Sequence, residues 1–230
     1  MSRGVPLVII KHNSNSIDPG HATISIMKRI SALLLGVFSL AGAVLLFTTA
    51  VNAAPYGEGR YGNCTYSDDC SLTITTNGTV ALNSTPDGSG KYTINNDTVI
   101  VSTNSITGYT LDLANSSASE DALVNGANEI SAHGGTFASP SVLVLNTWGY
   151  RVDDTGSFGS GPTSAVSDQP SSSLTFAGVP LSGSPDEIKN YTAGSVTDDE
   201  TQVWYGIRVD NSLPSGTYTA TVTYTATVNL

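Results

Sequence analysis

The last strongly patterned stretch of the chain, Thr217 to Val228, leaves little freedom of fold. Tyr218, Ala220, Val222, Tyr224, Ala226 and Val228 fall on one parity and six threonines on the other. A side-chain period of two is that of a β-strand with one face buried, and it is incompatible with a helix. Twelve residues at about 3.3 Å each make a strand of roughly 40 Å. The same period recurs upstream. Val203, Tyr205, Ile207 and Val209 share a parity, as do Trp148, Tyr150 and Val152, and Tyr109, Leu111 and Leu113. Leu72 with Ile74, Val80 with Leu82, and the β-branched run Asp97 to Thr103 add further strands. Ser141 to Leu145 is apolar on both parities and reads as a fully buried strand.

Turn residues punctuate these runs at Asn77-Gly78, Pro86-Asp87-Gly88, Asn115-Ser116, Gly134-Gly135 and Asp210 to Gly216. Asn77-Gly78 is a hairpin signal. Helical evidence is confined to single turns at Ser119–Val124 and Ser184-Pro185-Asp186-Glu187. Many short strands with Gly/Pro turns predict an all-β fold, an immunoglobulin-like antiparallel β-sandwich. Its last hairpin is expected to pair Gln202–Val209 with Thr217–Val228. From 153 to 199 the pattern weakens into a long loop excursion, with Leu174-Thr175-Phe176 and Tyr191 as its anchors.

The N-terminal quarter has a different character. Lys28 and Arg29 precede the apolar run Ile30 to Thr49, and Val51 and Ala53 suit the −3 and −1 positions of a signal peptidase site. Residues 27–53 therefore read as a signal peptide cleaved before Ala54. The alternative is an N-terminal membrane anchor, because the run is near the length that spans a bilayer. Residues 1–26 read as an unstructured upstream extension, and residues 54–230 as the β-sandwich domain. Of the 9 basic and 19 acidic residues, residues 1–53 hold Arg3, Lys11, Lys28, Arg29 and Asp18. Five basic and 18 acidic residues remain, a net charge of −13. So acidic a domain lacks the basic face that nucleic acid requires. Contact with a membrane is expected only through an uncleaved N-terminal segment. A Ser/Thr-rich, Lys-poor acidic exterior suits a secreted or cell-surface protein. In an oxidising compartment Cys64 and Cys70 would close a five-residue loop as a disulfide.

Four segments carry a resemblance: Thr103-Asn104 with Thr107-Gly108-Tyr109-Thr110-Leu111, then Asn146-Thr147-Trp148-Gly149-Tyr150-Arg151-Val152, Val203-Trp204-Tyr205-Gly206-Ile207 and Pro214-Ser215-Gly216-Thr217-Tyr218. In this order the chain resembles uncharacterised exported bacterial surface β-sandwich proteins. More distantly, Ser215 to Val222 resembles the last strand of WxL-type wall-associated or fimbrial domains. The Trp-x-Leu signature itself is missing, so wall binding of that kind is not carried over. The resemblance implies a surface location and a β fold, and no active site.

Catalytic patterns are sparse. His133 is the one histidine after residue 53, and it lies in a Gly-rich loop with no Gly-x-Ser-x-Gly elbow. Acidic pairs at Asp68-Asp69, Asp153-Asp154 and Asp198-Asp199-Glu200 lie in turns and lack the spacing of an EF-hand. They read as solvated loop charge, with calcium as the weaker reading. If Val203, Tyr205, Ile207 and Val209 face the core, Trp204 and Arg208 face outward as candidate ligand contacts. The competing expectation is that the 153–199 excursion covers Trp204. The sequence thus predicts a non-enzymatic exported protein without catalytic residues, bound metal or cofactor, with a structural or adhesive role toward a surface glycan or another surface protein. The alternative is an extracellular glycan-binding module.

Overall fold

The computed structural model describes residues 7–17 and 70–229. The segment 18–69, with the signal-like run, the Ala53–Ala54 junction and Cys64, lies outside the described residues, so a Cys64–Cys70 bridge stays an expectation. The described residues are all β, with no helix. In chain order the strands are β1 (Leu7–Ile17), β2 (Leu72–Thr75), β3 (Thr79–Asn83), β4 (Lys91–Thr103), β5 (Tyr109–Asn115), β6 (Leu123–Asn125) and β7 (Asn128–Ala132). Then follow β8 (Ser141–Val142), β9 (Thr147–Val152), β10 (Val166–Gln169), β11 (Thr175–Phe176), β12 (Asp186–Tyr191), β13 (Val196–Val209) and β14 (Thr217–Val228).

Twelve strands form one mixed sheet, and β8 with β11 forms a small second one. The large sheet turns back on itself at β7, which is antiparallel to β6 through Leu123↔Ile130 and parallel to β9 through Ala132↔Trp148. On one side of that turn lie β1, β3, β5, β6, β12 and β14; on the other lie β2, β4, β9, β10 and β13. The apolar parities read from the sequence meet between them. Tyr109, Leu111, Leu113, Tyr218, Val222 and Tyr224 pack in one cluster with Val99, Val101, Trp148, Tyr150, Val203, Tyr205 and Ile207. Burial of each large apolar side chain contributes roughly 1.5–3 kcal/mol.

Several pairings differ from expectation. Gln202–Val209 and Thr217–Val228 do not form a hairpin: β13 pairs with β4 and β9, while β14 pairs with β1, β5 and β6. The Asp210–Gly216 connection crosses from one half of the sheet to the other, so the two apolar faces oppose each other. The hydroxyls of Tyr205 and Tyr224 meet across the core at 2.7 Å. Asn77-Gly78 likewise joins strands with different partners, β2 with β4 and β3 with β1. The turns expected to be helical at 119–124 and 184–187 run into β6 and β12. Ser141–Leu145 is not a buried strand. Its first two residues pair with β11, Leu143 alone is buried, and Val142, Val144 and Leu145 are exposed. Within residues 1–26, Leu7–Ile17 is a strand rather than an unstructured extension. Eleven residues in extended geometry satisfy two backbone edges that would otherwise be unpaired.

A buried carboxylate sits inside this core. Asp97 is fully buried, accepts from the Asn77 N–H at 2.8 Å, and is also bonded by the Tyr224 hydroxyl. Desolvation dominates over these bonds and pushes its pKa up to about 6. Between about pH 4 and 6 the folded state therefore binds more protons than the unfolded state. Stability is expected to fall as pH rises through that window, by about 3 kcal/mol in all, and then to level off. Asp97→Asn should flatten this decline relative to wild type. Denaturant midpoints of both proteins at pH 4.5 and 7 check it, and parallel pH profiles would refute it.

Candidate functional site

The outer face of β13 and β9 is where the sequence places its candidate contacts, and a second layer covers it. Gly149 on β9 and Gly206 on β13 are register partners. Phe176 of β11 lies against them. A Cβ on Gly206 would come 2.7 Å from the Phe176 ring, and one on Gly149 2.3 Å from the Ala177 carbonyl oxygen. Backbone bonds of 2.8 Å in both directions between Tyr150 and Ala177 hold the layer down. Here Tyr92, Ile94, Leu143, Phe176 and Trp204 form a small core of their own, with Val166 and Leu174 packed against it.

Trp204 is consequently not a surface contact. It is 2% exposed, and its Nε1 donates to Asp153 Oδ2 at 2.8 Å. The 153–199 excursion supplies β10, β11 and β12, and the first two border this layer. Trp204→Ala is expected to cost about 3–5 kcal/mol, the usual penalty for removing a buried tryptophan. Thermal melting checks this; a loss under about 1 kcal/mol would show that the layer does not cover Trp204 in solution.

Arg208 is half-buried, with its guanidinium 5.0 Å above the Tyr92 ring and Nη1 donating to the Leu143 carbonyl at 3.3 Å. That anchoring props up the segment 142–145, whose Val142, Val144 and Leu145 are 43%, 56% and 38% exposed. The segment thus leaves three apolar side chains exposed next to the Arg208 guanidinium. Sequence reasoning placed Arg208 here but missed the valines and leucine, because an apolar run carries no mark of which residues stay uncovered.

Three carboxylates of the described acidic clusters are engaged internally. Asp199 accepts from Lys189 Nζ at 2.6 Å and from the Tyr109 hydroxyl at 2.7 Å. Asp198 bonds Ser102, and Asp153 holds Trp204. Among the described residues no three metal-binding side chains gather into one group; Asp68 and Asp69 lie outside them. His133 Nε2 is 2.8 Å from the Ser141 hydroxyl, and burial lowers the imidazole pKa. Its Nδ1 is buried with no hydrogen-bond partner, so nothing is placed to stabilise an imidazolium as a triad acid does. The pair clasps the Gly134-Gly135 loop to β8. Two shallow hollows lie along the threonine face of β14. One is bordered by Glu120 and Thr219, the other by Asp112 and Thr225.

Compared with protein-family models, with curated proteins and with solved structures, the chain matches none.

Proposed function

We propose that this chain is an exported, non-enzymatic cell-surface protein with a structural or adhesive role, its two facing halves forming an immunoglobulin-like sandwich. The observation that carries the reading is the exposed Val142, Val144 and Leu145 beside Arg208. They offer a partner three neighbouring apolar side chains on an acidic domain. The glycan-binding alternative loses its principal argument, since Trp204 is not available to stack on a sugar. Val142→Asp with Val144→Asp tests the reading. Both side chains are exposed, so melting should move by no more than about 0.5 kcal/mol per site. Beads carrying the variant should lose adhesion to cells that produce the protein. Undiminished adhesion, or turnover of glycan, ester or peptide substrates in a broad screen, would overturn the proposal.

A further inference from the structure

β1 lies between two strands and joins them. It is parallel to β14 from Leu7↔Thr217 to Ile17↔Thr227, and antiparallel to β3 from Leu7↔Asn83 to Lys11↔Thr79. Among the described residues β3 has no other ladder partner. Without β1, two strand spacings, roughly 10 Å, separate β14 from β3, and both present unpaired backbone groups along the gap. The flanking strands carry Val80, Leu82, Tyr218 and Val222, all buried to 1% exposure or less. An opening of this length beside such side chains is a template for pairing.

The sequence separates β1 from the rest of the sheet by the charged and apolar segment 27–53. Cleavage before Ala54 removes Leu7–Ile17 with that segment. We propose that the exported protein fills the slot between β14 and β3 with an extended segment of another exported polypeptide, running parallel to β14. This inference rests on the export reading above.

The register defines the chemistry of the occupant. Val8 stands opposite Tyr218 and Leu82, and Ile10 opposite Ala220 and Val80. Beyond them His12, Ser14 and Ser16 stand opposite Val222, Tyr224 and Ala226. The fitting segment has apolar residues at two alternate positions at the Tyr218 end and small or polar ones after. It carries no carboxylate: Leu7–Ile17 has Lys11 and no acidic residue, which suits a domain of net charge −13. Backbone pairing supplies affinity and the alternate side chains supply selectivity.

The test uses the protein recovered from outside the cell, with its N-terminus sequenced, and a labelled peptide of the sequence Leu7–Ile17. Fluorescence anisotropy should show saturable one-to-one binding and an upward shift of the melt. A peptide with Val8→Asp and Ile10→Asp should bind roughly tenfold more weakly or worse. An N-terminus at Ala54 with no peptide binding would overturn the proposal and leave export standing, whether or not the amides of 79–83 and 217–227 are protected from exchange. Recovery of protein that retains 7–17 with those amides protected would overturn both.

Discussion

Val222→Asp is expected to unfold the domain or to remove most of its stability. Val222 is at 0% exposure on β14, in one cluster with Tyr218, Tyr224 and the facing Tyr205. An aspartate there loses the apolar contacts and sets a carboxylate among buried apolar side chains. That cost is several kcal/mol, against a total stability of about 5–15 kcal/mol for a domain. Thr223→Asp is the matched control. Thr223 is half-buried on the opposite face, in the shallow hollow that Asp112 also borders. Its loss should stay within about 1 kcal/mol; repulsion from Asp112 is included in that figure. Thermal melting of the two variants decides the matter. Equal damage from both would mean that the threonine face is also covered, and a harmless Val222→Asp would mean that β14 is not the core strand described here.

Arg151→Ala carries the second large effect. The Arg151 side chain is fully buried, on the face of β9 turned away from the main core. Its Nη2 donates to the carbonyls of Phe158, Gly159 and Ser160 at 2.9, 3.0 and 3.1 Å. Nη1 reaches the Thr175 carbonyl at 3.4 Å, and Nε lies 3.6 Å from Asp153 Oδ1. The loop after β9 is thus wrapped around one planar guanidinium, and β11 is tied to it. Desolvation lowers the Arg151 pKa, opposed by the nearby Asp153. Truncation to alanine strands several carbonyls and leaves Asp153 without its cation, a loss of about 3–5 kcal/mol. Arg151→Lys should recover only part of this, because one ammonium nitrogen cannot occupy at once the Nη2, Nη1 and Nε positions that face the 158–160 carbonyls, Thr175 and Asp153. Denaturant midpoints measure the loss. Tryptophan fluorescence should report the same transition, since Asp153 holds Trp204. A shift below about 1 kcal/mol for Arg151→Ala would show that the loop keeps its form without the guanidinium.

Much of the local structure was legible before any coordinate. Thr217–Val228 coincides with β14, and Tyr205, Trp148, Leu111 and their parity mates are buried as their alternation requires. Phe176 and Tyr191 stand out in the sequence as anchors of the excursion; Phe176 is fully buried, and Tyr191 stacks on Tyr109 at 5.7 Å. The candidate site was legible only in part. That Trp204 and Arg208 leave the core face follows from parity. What lies on top of them depends on Asp153 and Phe176, 51 and 28 residues earlier in the chain.

The difference has a physical source. The alternation of side chains along an extended backbone is a local property, so the sequence alone determined that strongly alternating segments such as Thr217–Val228 and 203–209 are strands and which face of each is apolar. It also determined the acidity of the domain and the export-like character of residues 27–53. The choice of neighbour is not local. Closing a loop costs only slowly more as the loop lengthens, so β13 could as readily join β14 as cross above it. Only the tertiary structure decided that β13 and β14 oppose each other through Tyr205 and Tyr224, that a second layer seals Trp204, and that Leu7–Ile17 bridges β14 and β3. In each case the outcome follows from which apolar faces and unpaired edges can be satisfied together, a condition on the whole chain that no single segment carries.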